Sequence, residues 1–161
     1  MQITDEIYQN YVAKVNRYLL SLTHDSDLAE ELTQETFYQA IRSIERFEGK
    51  SSLYTWLCGI AKNCFNTYRK KHPQTVNLNE PLSVTFSASP EEEALSAEKR
   101  LELIKSLHGI PEPQREIIYL HVFCELSFSE IGEIFGKTDN WARVNFFRGK
   151  NKLKKEVNKD A

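Results

Sequence analysis

No run in these 161 residues comes near the ~20 consecutive apolar positions that a bilayer-spanning helix needs, so membrane insertion is not expected. The chain opens with Asp5 and Glu6 where a secretory leader would carry a basic stretch followed by an apolar one. Cysteine is scarce. Cys58, Cys64 and Cys124 form no C-x-x-C pair, lie inside apolar helical stretches and read as reduced packing residues of a cytoplasmic protein. Glycine is equally thin, with six in all, and none is grouped into a loop that could cradle phosphate. His121 and Cys124 lack the further ligands that a zinc site requires, and no catalytic triad is visible. Neither enzymatic activity, nor a cofactor or metal, nor a small-molecule substrate is expected.

Strand signals are missing as well, since no alternating apolar pattern flanked by turns occurs, and no internal repeat is found. What remains is helical. Ile7, Tyr11, Val15, Tyr18 and Leu22 recur at three- and four-residue spacing, which predicts a helix from about Glu6 to Leu22. His24-Asp25-Ser26-Asp27 breaks that pattern and offers caps for a second helix over Leu28 to about Ile44. Its expected apolar stripe is Leu28, Leu32, Phe37, Ala40, Ile41 and Ile44. After the loop Phe47–Ser52 a third helix runs from Leu53 to about Lys71, where His72-Pro73 ends it.

From Pro73 to Pro90 no period survives, and the composition reads as a flexible linker. Ser89-Pro90-Glu91-Glu92 offers a helix start, with helical patterning to His108, an interruption at Gly109-Ile110-Pro111, and another helix from Glu112 to about Cys124. The expected architecture is all-α: two small helical domains, an N-terminal bundle over 1–72 and a C-terminal domain over 94–161, joined by a linker over 73–93. Whether the two domains pack on each other is left open by the sequence.

The formal net charge of -2 hides a pattern. Met1 to Glu48 holds four basic and nine acidic residues, whereas Gly49 to His72 holds five basic residues and no acid. Pro73 to Arg100 reverses again, with two basic and five acidic residues, and Lys137 to Ala161 carries eight basic against three acidic. Two separated basic segments provide two places for phosphate to dock.

In the C-terminal segment, Ser127-Phe128-Ser129-Glu130 fits a capping box, and Gly136 can turn out of the short helix that follows. Thr138 then caps a second helix, giving the spacing of a helix-turn-helix. Ala142, Phe146 and Gly149 should face the first of these two helices. Asn140, Arg143, Val144, Phe147 and Arg148 then face outward, where Arg can reach guanine or phosphate, Asn adenine, and apolar side chains a thymine methyl. Lys150, Lys152, Lys154 and Lys155 suit phosphate contact.

In the third helix Trp56, Leu57, Ile60, Cys64 and Tyr68 form a stripe expected to be mostly buried. Lys62, Asn63, Asn66, Arg69 and Lys70 are left, with the Phe47–Ser52 loop, as candidates for holding a strand. The second helix carries carboxylates along one face without basic partners at four-residue spacing; a solvated face is the default reading of this segment alone, and the same face would suit a positively charged protein.

Together these segments closely resemble the extracytoplasmic-function (ECF) group of sigma factors in the sigma-70 family. The resemblance rests on Asp27-Leu28-Ala29-Glu30-Glu31-Leu32-Thr33-Gln34-Glu35-Thr36-Phe37, on Phe47-Glu48-Gly49-Lys50-Ser51-Ser52-Leu53-Tyr54-Thr55-Trp56-Leu57, on Ile60-Ala61-Lys62-Asn63, and on the closing helix-turn-helix. It covers Ile7 to Lys71 and Glu98 to Val157. It implies that the acidic helix docks on bacterial core RNA polymerase through Asp27, Glu30, Glu31, Gln34, Glu35 and Phe37, although Phe37 equally suits a core position. It implies promoter contact at the minus-ten element through Lys50, Ser51, Ser52, Lys62, Asn63, Asn66, Arg69 and Lys70. At the minus-thirty-five element it points to Thr138, Asn140, Arg143, Val144, Phe147, Arg148 and Lys150. An anti-sigma factor, often membrane-bound in this group, is implied as a further partner. Asp139-Asn140-Trp141, Val144-Asn145 and Lys50 depart from the group's usual residues and bear on which promoter sequence is read. A stand-alone helix-turn-helix repressor or activator is the alternative; it gives no job to the acidic or the aromatic basic helix.

Overall fold

The computed structural model describes residues 2–73, 102 and 105–159. Among these residues the fold is all-α, with no strand. The proposed linker over 73–93 and the helix start at Ser89-Pro90 lie, apart from Pro73, outside the described residues.

Helix α1 spans Asp5–Thr23, α2 Ser26–Ser43 and α3 Leu53–Lys71, and the three pack on one another. Each begins at a side chain that accepts an otherwise unpaired backbone N–H, which is why the breaks fall where they do. Thr4 accepts from Ile7 at 3.3 Å, Asp25 from Asp27 and Leu28 at 3.0 and 3.2 Å, and Ser52 from Thr55 at 3.1 Å. The α3 C-terminus gathers Arg69, Lys70 and Lys71 at the negative end of its dipole. A 3-10 turn over Ile44–Arg46 closes α2, one residue short of the expected Ile44 end.

Helices α4 (Gln114–Val122), α5 (Phe128–Phe135) and α6 (Asp139–Lys159) form the C-terminal half, preceded by helical residues 105–107. The helix expected over Glu112 to Cys124 is shorter at both ends. Pro113 stands as its cap, and a wide turn brings the Leu126 N–H back to the Leu120 carbonyl at 3.1 Å. Both halves of the capping box at α5 form, Gly136 adopts a left-handed φ of 68°, and Thr138 accepts from the Trp141 N–H at 3.1 Å.

The two halves share one continuous core. Val15, Tyr18 and Leu19 of α1 and Leu57, Cys58 and Ala61 of α3 join a cluster with Ile117, Leu120, Ile131 and Ala142. The three cysteines are free thiols: Cys58 and Cys64 are buried and Cys124 is partly so. In the α3 stripe Leu57 and Cys64 are buried, while Trp56, Ile60 and Tyr68 pack against the core from its edge.

Two expectations fail on orientation. Ile41 was expected in the α2 stripe but is 57% exposed, because the inward path runs through Phe37, Ala40 and Ile44 and leaves Ile41 beside Tyr38 on the outer face. Gly149 does not face α5. It lies against Ile118 and Gln114 of α4, where an added Cβ would come within 2.8 Å of the Ile118 side chain.

The helix-turn-helix depends on a second close approach. A Cβ on Gly132 would sit 2.8 Å from the Lys137 and Thr138 carbonyl oxygens, which are backbone and cannot swing aside. Gly132→Ala should therefore destabilise the fold by about 1–3 kcal/mol through overpacking. Chemical denaturation followed by circular dichroism measures it; an unchanged midpoint would contradict this packing.

Candidate nucleic-acid interface

Helix α6 is two-sided because its inward residues recur at three and four. Ala142 and Phe146 are buried, and Phe146 meets the His121 and Phe128 rings at centroid distances of 4.7 and 5.4 Å. Thr138, Asn140, Arg143, Val144, Phe147, Arg148 and Lys150 are exposed, Phe147 at 48% despite its apolar ring. Lys150 lies 5.9 Å from the Phe147 ring, and Arg143 lies 5.7 Å from that of Phe128. Arg143 also approaches Asp139 at 4.0 Å, an exposed pair too weakly coupled to hold the guanidinium back from another ligand. Asn145 points inward. Its amide donates to the Trp141 carbonyl at 2.9 Å, and its side-chain oxygen accepts from Gln114 at 3.4 Å.

On α3, Asn63, Arg69 and Lys70 are exposed and Asn66 is half-buried, accepting from Arg69 at 3.3 Å. Lys50 is exposed in the loop beside Glu48, their charged groups 2.9 Å apart, and Ser51 is half-buried.

Two members of this set are already engaged. Lys62 keeps only 15% of its side chain exposed; its ammonium donates to both Glu116 oxygens at 2.9 and 3.1 Å and lies 4.1 Å from the Phe135 ring centroid. Ser52 caps α3 and also donates to Glu130 at 3.3 Å, and the Thr55 hydroxyl donates to the same carboxylate. Glu116 and Thr55 were not legible as functional positions. The one available signal was a carboxylate set directly before Ile117-Ile118-Tyr119-Leu120, a stretch that could only be buried.

Burial raises the Glu116 carboxyl above its usual range, against the pull of the Lys62 ammonium. Burial together with the Glu116 charge raises the Tyr18 phenol, which donates to Glu116 at 2.5 Å. At Glu130 partial burial also pushes upward, but hydrogen bonds from Thr55, Ser127 and Ser52 outweigh it and hold the carboxyl below its ordinary value.

On α2, Asp27, Glu30, Glu31, Gln34 and Glu35 are exposed along one flank. Phe37 departs from that set: it is 3% exposed, lies in the core and meets the Tyr8 ring at 5.0 Å, so it presents no outer surface. The exposed apolar side chains of α2 are instead Tyr38 and Ile41, four and seven residues after Gln34. That spacing was visible in the sequence. Among the described residues no group of His, Cys, Asp and Glu could hold a metal ion, and no helix is long and apolar enough to cross a membrane.

Two family models match the chain in order, Sigma-70 region 2 over residues 7–74 and Sigma-70 region 4 over residues 100–153. The ECF RNA polymerase sigma factor SigM of Bacillus subtilis is 33% identical over 96% of this chain and 95% of its own length. The RNA polymerase sigma factor YlaC of the same organism is 32% identical over 96% and 92%. Among solved structures, the sigma factor RpoE in complex with the anti-sigma factor NepR from Bartonella quintana aligns with a TM-score of 0.71 at 23% identity, covering 98% of this chain and 100% of that one. CnrH in complex with the cytosolic domain of CnrY aligns at 0.69 and 17% identity, covering 97% and 88%. The chain belongs to the sigma-70 family, in its ECF group. Its members are transcription initiation factors and not enzymes.

The low-lying Glu130 carboxyl makes a pH prediction. A depressed folded pKa contributes stability that is present above the unfolded value of about 4.3 and is lost as pH falls through the folded value. The melting temperature of the native protein should therefore fall towards that of Glu130→Gln between about pH 5 and pH 3. Parallel curves over that range would show that the Glu130 charge contributes nothing.

Proposed function

We propose that this alternative sigma factor works in the cytoplasm by binding core RNA polymerase and carrying it to promoters that its two regions read separately. The observation that carries the reading is the ordered pair of matches to region 2 and region 4 within one short chain. In this reading residues 1–72 grip polymerase and the minus-ten element, 73–93 set the spacing, and 94–161 read the minus-thirty-five element. A stand-alone operator-binding regulator would leave the region 2 helices without a role.

The acidic flank of α2, Asp27, Glu30, Glu31, Gln34 and Glu35, supplies the polymerase-facing surface, complementary to a basic partner. Lys50, Ser51, Ser52, Lys62, Asn63, Asn66, Arg69 and Lys70 hold the opened minus-ten strand, which is stabilised by binding and by extrusion of a base. Thr138, Asn140, Arg143, Val144, Phe147, Arg148 and Lys150 meet the major groove. Phosphate contacts position α6, while Arg143, Asn140 and the apolar pair Val144 and Phe147 discriminate bases. Control by an anti-sigma factor is supported by the solved relative RpoE, which is held by the anti-sigma factor NepR.

In-vitro transcription with bacterial core polymerase across a promoter library tests this directly. New start sites sharing one minus-thirty-five and minus-ten pair are expected; absence of initiation, together with stable operator binding by the chain alone, would overturn it. Arg143→Ala should cost about 1–3 kcal/mol on the selected promoter and relax preference at one base position. Lys150→Ala should weaken all promoters alike and reduce the salt slope of holoenzyme binding by about 1.

A further inference from the structure

Aromatic rings from α4, α5 and α6 close into a triangle beneath the outward face of α6. The His121 ring stacks on Phe128 at 4.4 Å with an interplanar angle of 14°, and meets Phe146 edge-on at 4.7 Å and 68°. Phe128 and Phe146 complete the triangle at 5.4 Å. Stacked and edge-to-face pairs of this kind are the favoured arrangements of aromatic quadrupoles. His121 cannot turn freely within the triangle, because its Nδ1–H donates to the Leu126 carbonyl at 2.9 Å. Phe146 is buried, so one corner is set in the core and another is tied to the backbone. Phe128, partly buried at the first position of α5, is the corner that reaches towards the surface.

Two side chains that the proposed function assigns to base reading rest against that corner. The Arg143 guanidinium lies 5.7 Å from the centre of the Phe128 ring, within reach of a cation–π attraction. The Phe147 ring lies 6.4 Å from Phe128 and meets Phe146 edge-on at 5.4 Å. Asp139 holds Arg143 only loosely, at 4.0 Å across an exposed pair. An exposed arginine loses side-chain freedom when it meets a base, and that loss subtracts from the contact. A ring fixed on the neighbouring helix removes part of the loss beforehand.

We propose that Phe128, itself held by His121, is a positioning residue for promoter reading. It acts through Arg143 and Phe147, keeping the guanidinium in the arc where it meets a base edge and propping the Phe147 ring outward. The inference rests on α6 facing the major groove.

The test uses the full chain assembled with bacterial core polymerase, on the selected promoter and on its single-base variants at the position that Arg143 reads. Phe128→Leu stays apolar but removes the ring, and discrimination between the right and wrong base should fall about three- to ten-fold. Phe128→Tyr keeps the ring and should retain native discrimination. In an Arg143→Ala background Phe128→Leu should cause no further loss at that position, because residues acting as a unit are not additive.

Phe128→Leu also loosens the packing of the three helices, so a second series separates charge attraction from shape. Phenylalanines with increasing ring fluorination, placed at position 128 by nonsense suppression, keep the ring while draining the negative face that attracts a cation. Discrimination should fall with each added fluorine while the melting temperature holds. Equal discrimination across the series, uniform weakening at every promoter position, or additive losses in the double variant would overturn the positioning role. Arg143→Ala alone separates this from the underlying reading. If it relaxes preference at one base while the Phe128 series changes nothing, the positioning role alone falls. If it relaxes none, base reading by Arg143 falls first, and the inference falls with it.

Discussion

A buried carboxylate, Glu116, is the polar centre of the contact between the two halves of this molecule. Glu116 accepts from the Tyr18 phenol of α1 and the Lys62 ammonium of α3, so three helices from both regions meet on two oxygen atoms. Such a contact has to be well satisfied to persist, because an ion taken from water costs several kcal/mol that only a close partner and further hydrogen bonds offset. Deleting one partner of a buried pair typically costs about 3–5 kcal/mol, most of it the penalty of the stranded charge. The apolar cluster surrounding it supplies adhesion without direction, whereas the Tyr18–Glu116–Lys62 group fixes how the halves are turned relative to each other.

Charge placement runs through the whole molecule in the same way. A net charge of -2 gives no hint of nucleic-acid binding, yet basic groups concentrate at the end of α3 and along α6, and the acids of α2 line another flank. Region 4 is strongly basic at its end but contributes the two acids that meet region 2. Attraction at the seam is therefore local and short-ranged, while attraction to a polyanion would act over the reach of the unscreened basic faces.

Much of this was legible beforehand. The caps Asp25, Ser127 and Thr138, the left-handed Gly136, and the end of α3 at His72-Pro73 follow from local chemistry, and the structure has each in place. So does the division of α6 into inward Ala142 and Phe146 and outward Asn140, Arg143, Val144, Phe147 and Arg148. Orientation at the margin of a stripe was less legible. Phe37 and Ile41 lie four residues apart, and only the packing of α2 on α1 and α3 sends one inward and the other out. The seam itself could not be read, because Tyr18 and Glu116 lie 98 positions apart and neither carries a local signature of the other.

The two-sided character of α6 bears on how such a chain can change over time. Its outward side chains contribute little to the core, and its inward ones never reach a surface where DNA could touch them. If α6 reads promoter DNA as proposed, substitutions at Asn140, Val144 or Phe147 would redirect the protein towards other genes with little effect on stability, provided Ala142, Asn145 and Phe146 stay as they are. Duplicated copies of such a chain could diverge in target while one scaffold serves them all, a separation of heritable address from heritable architecture.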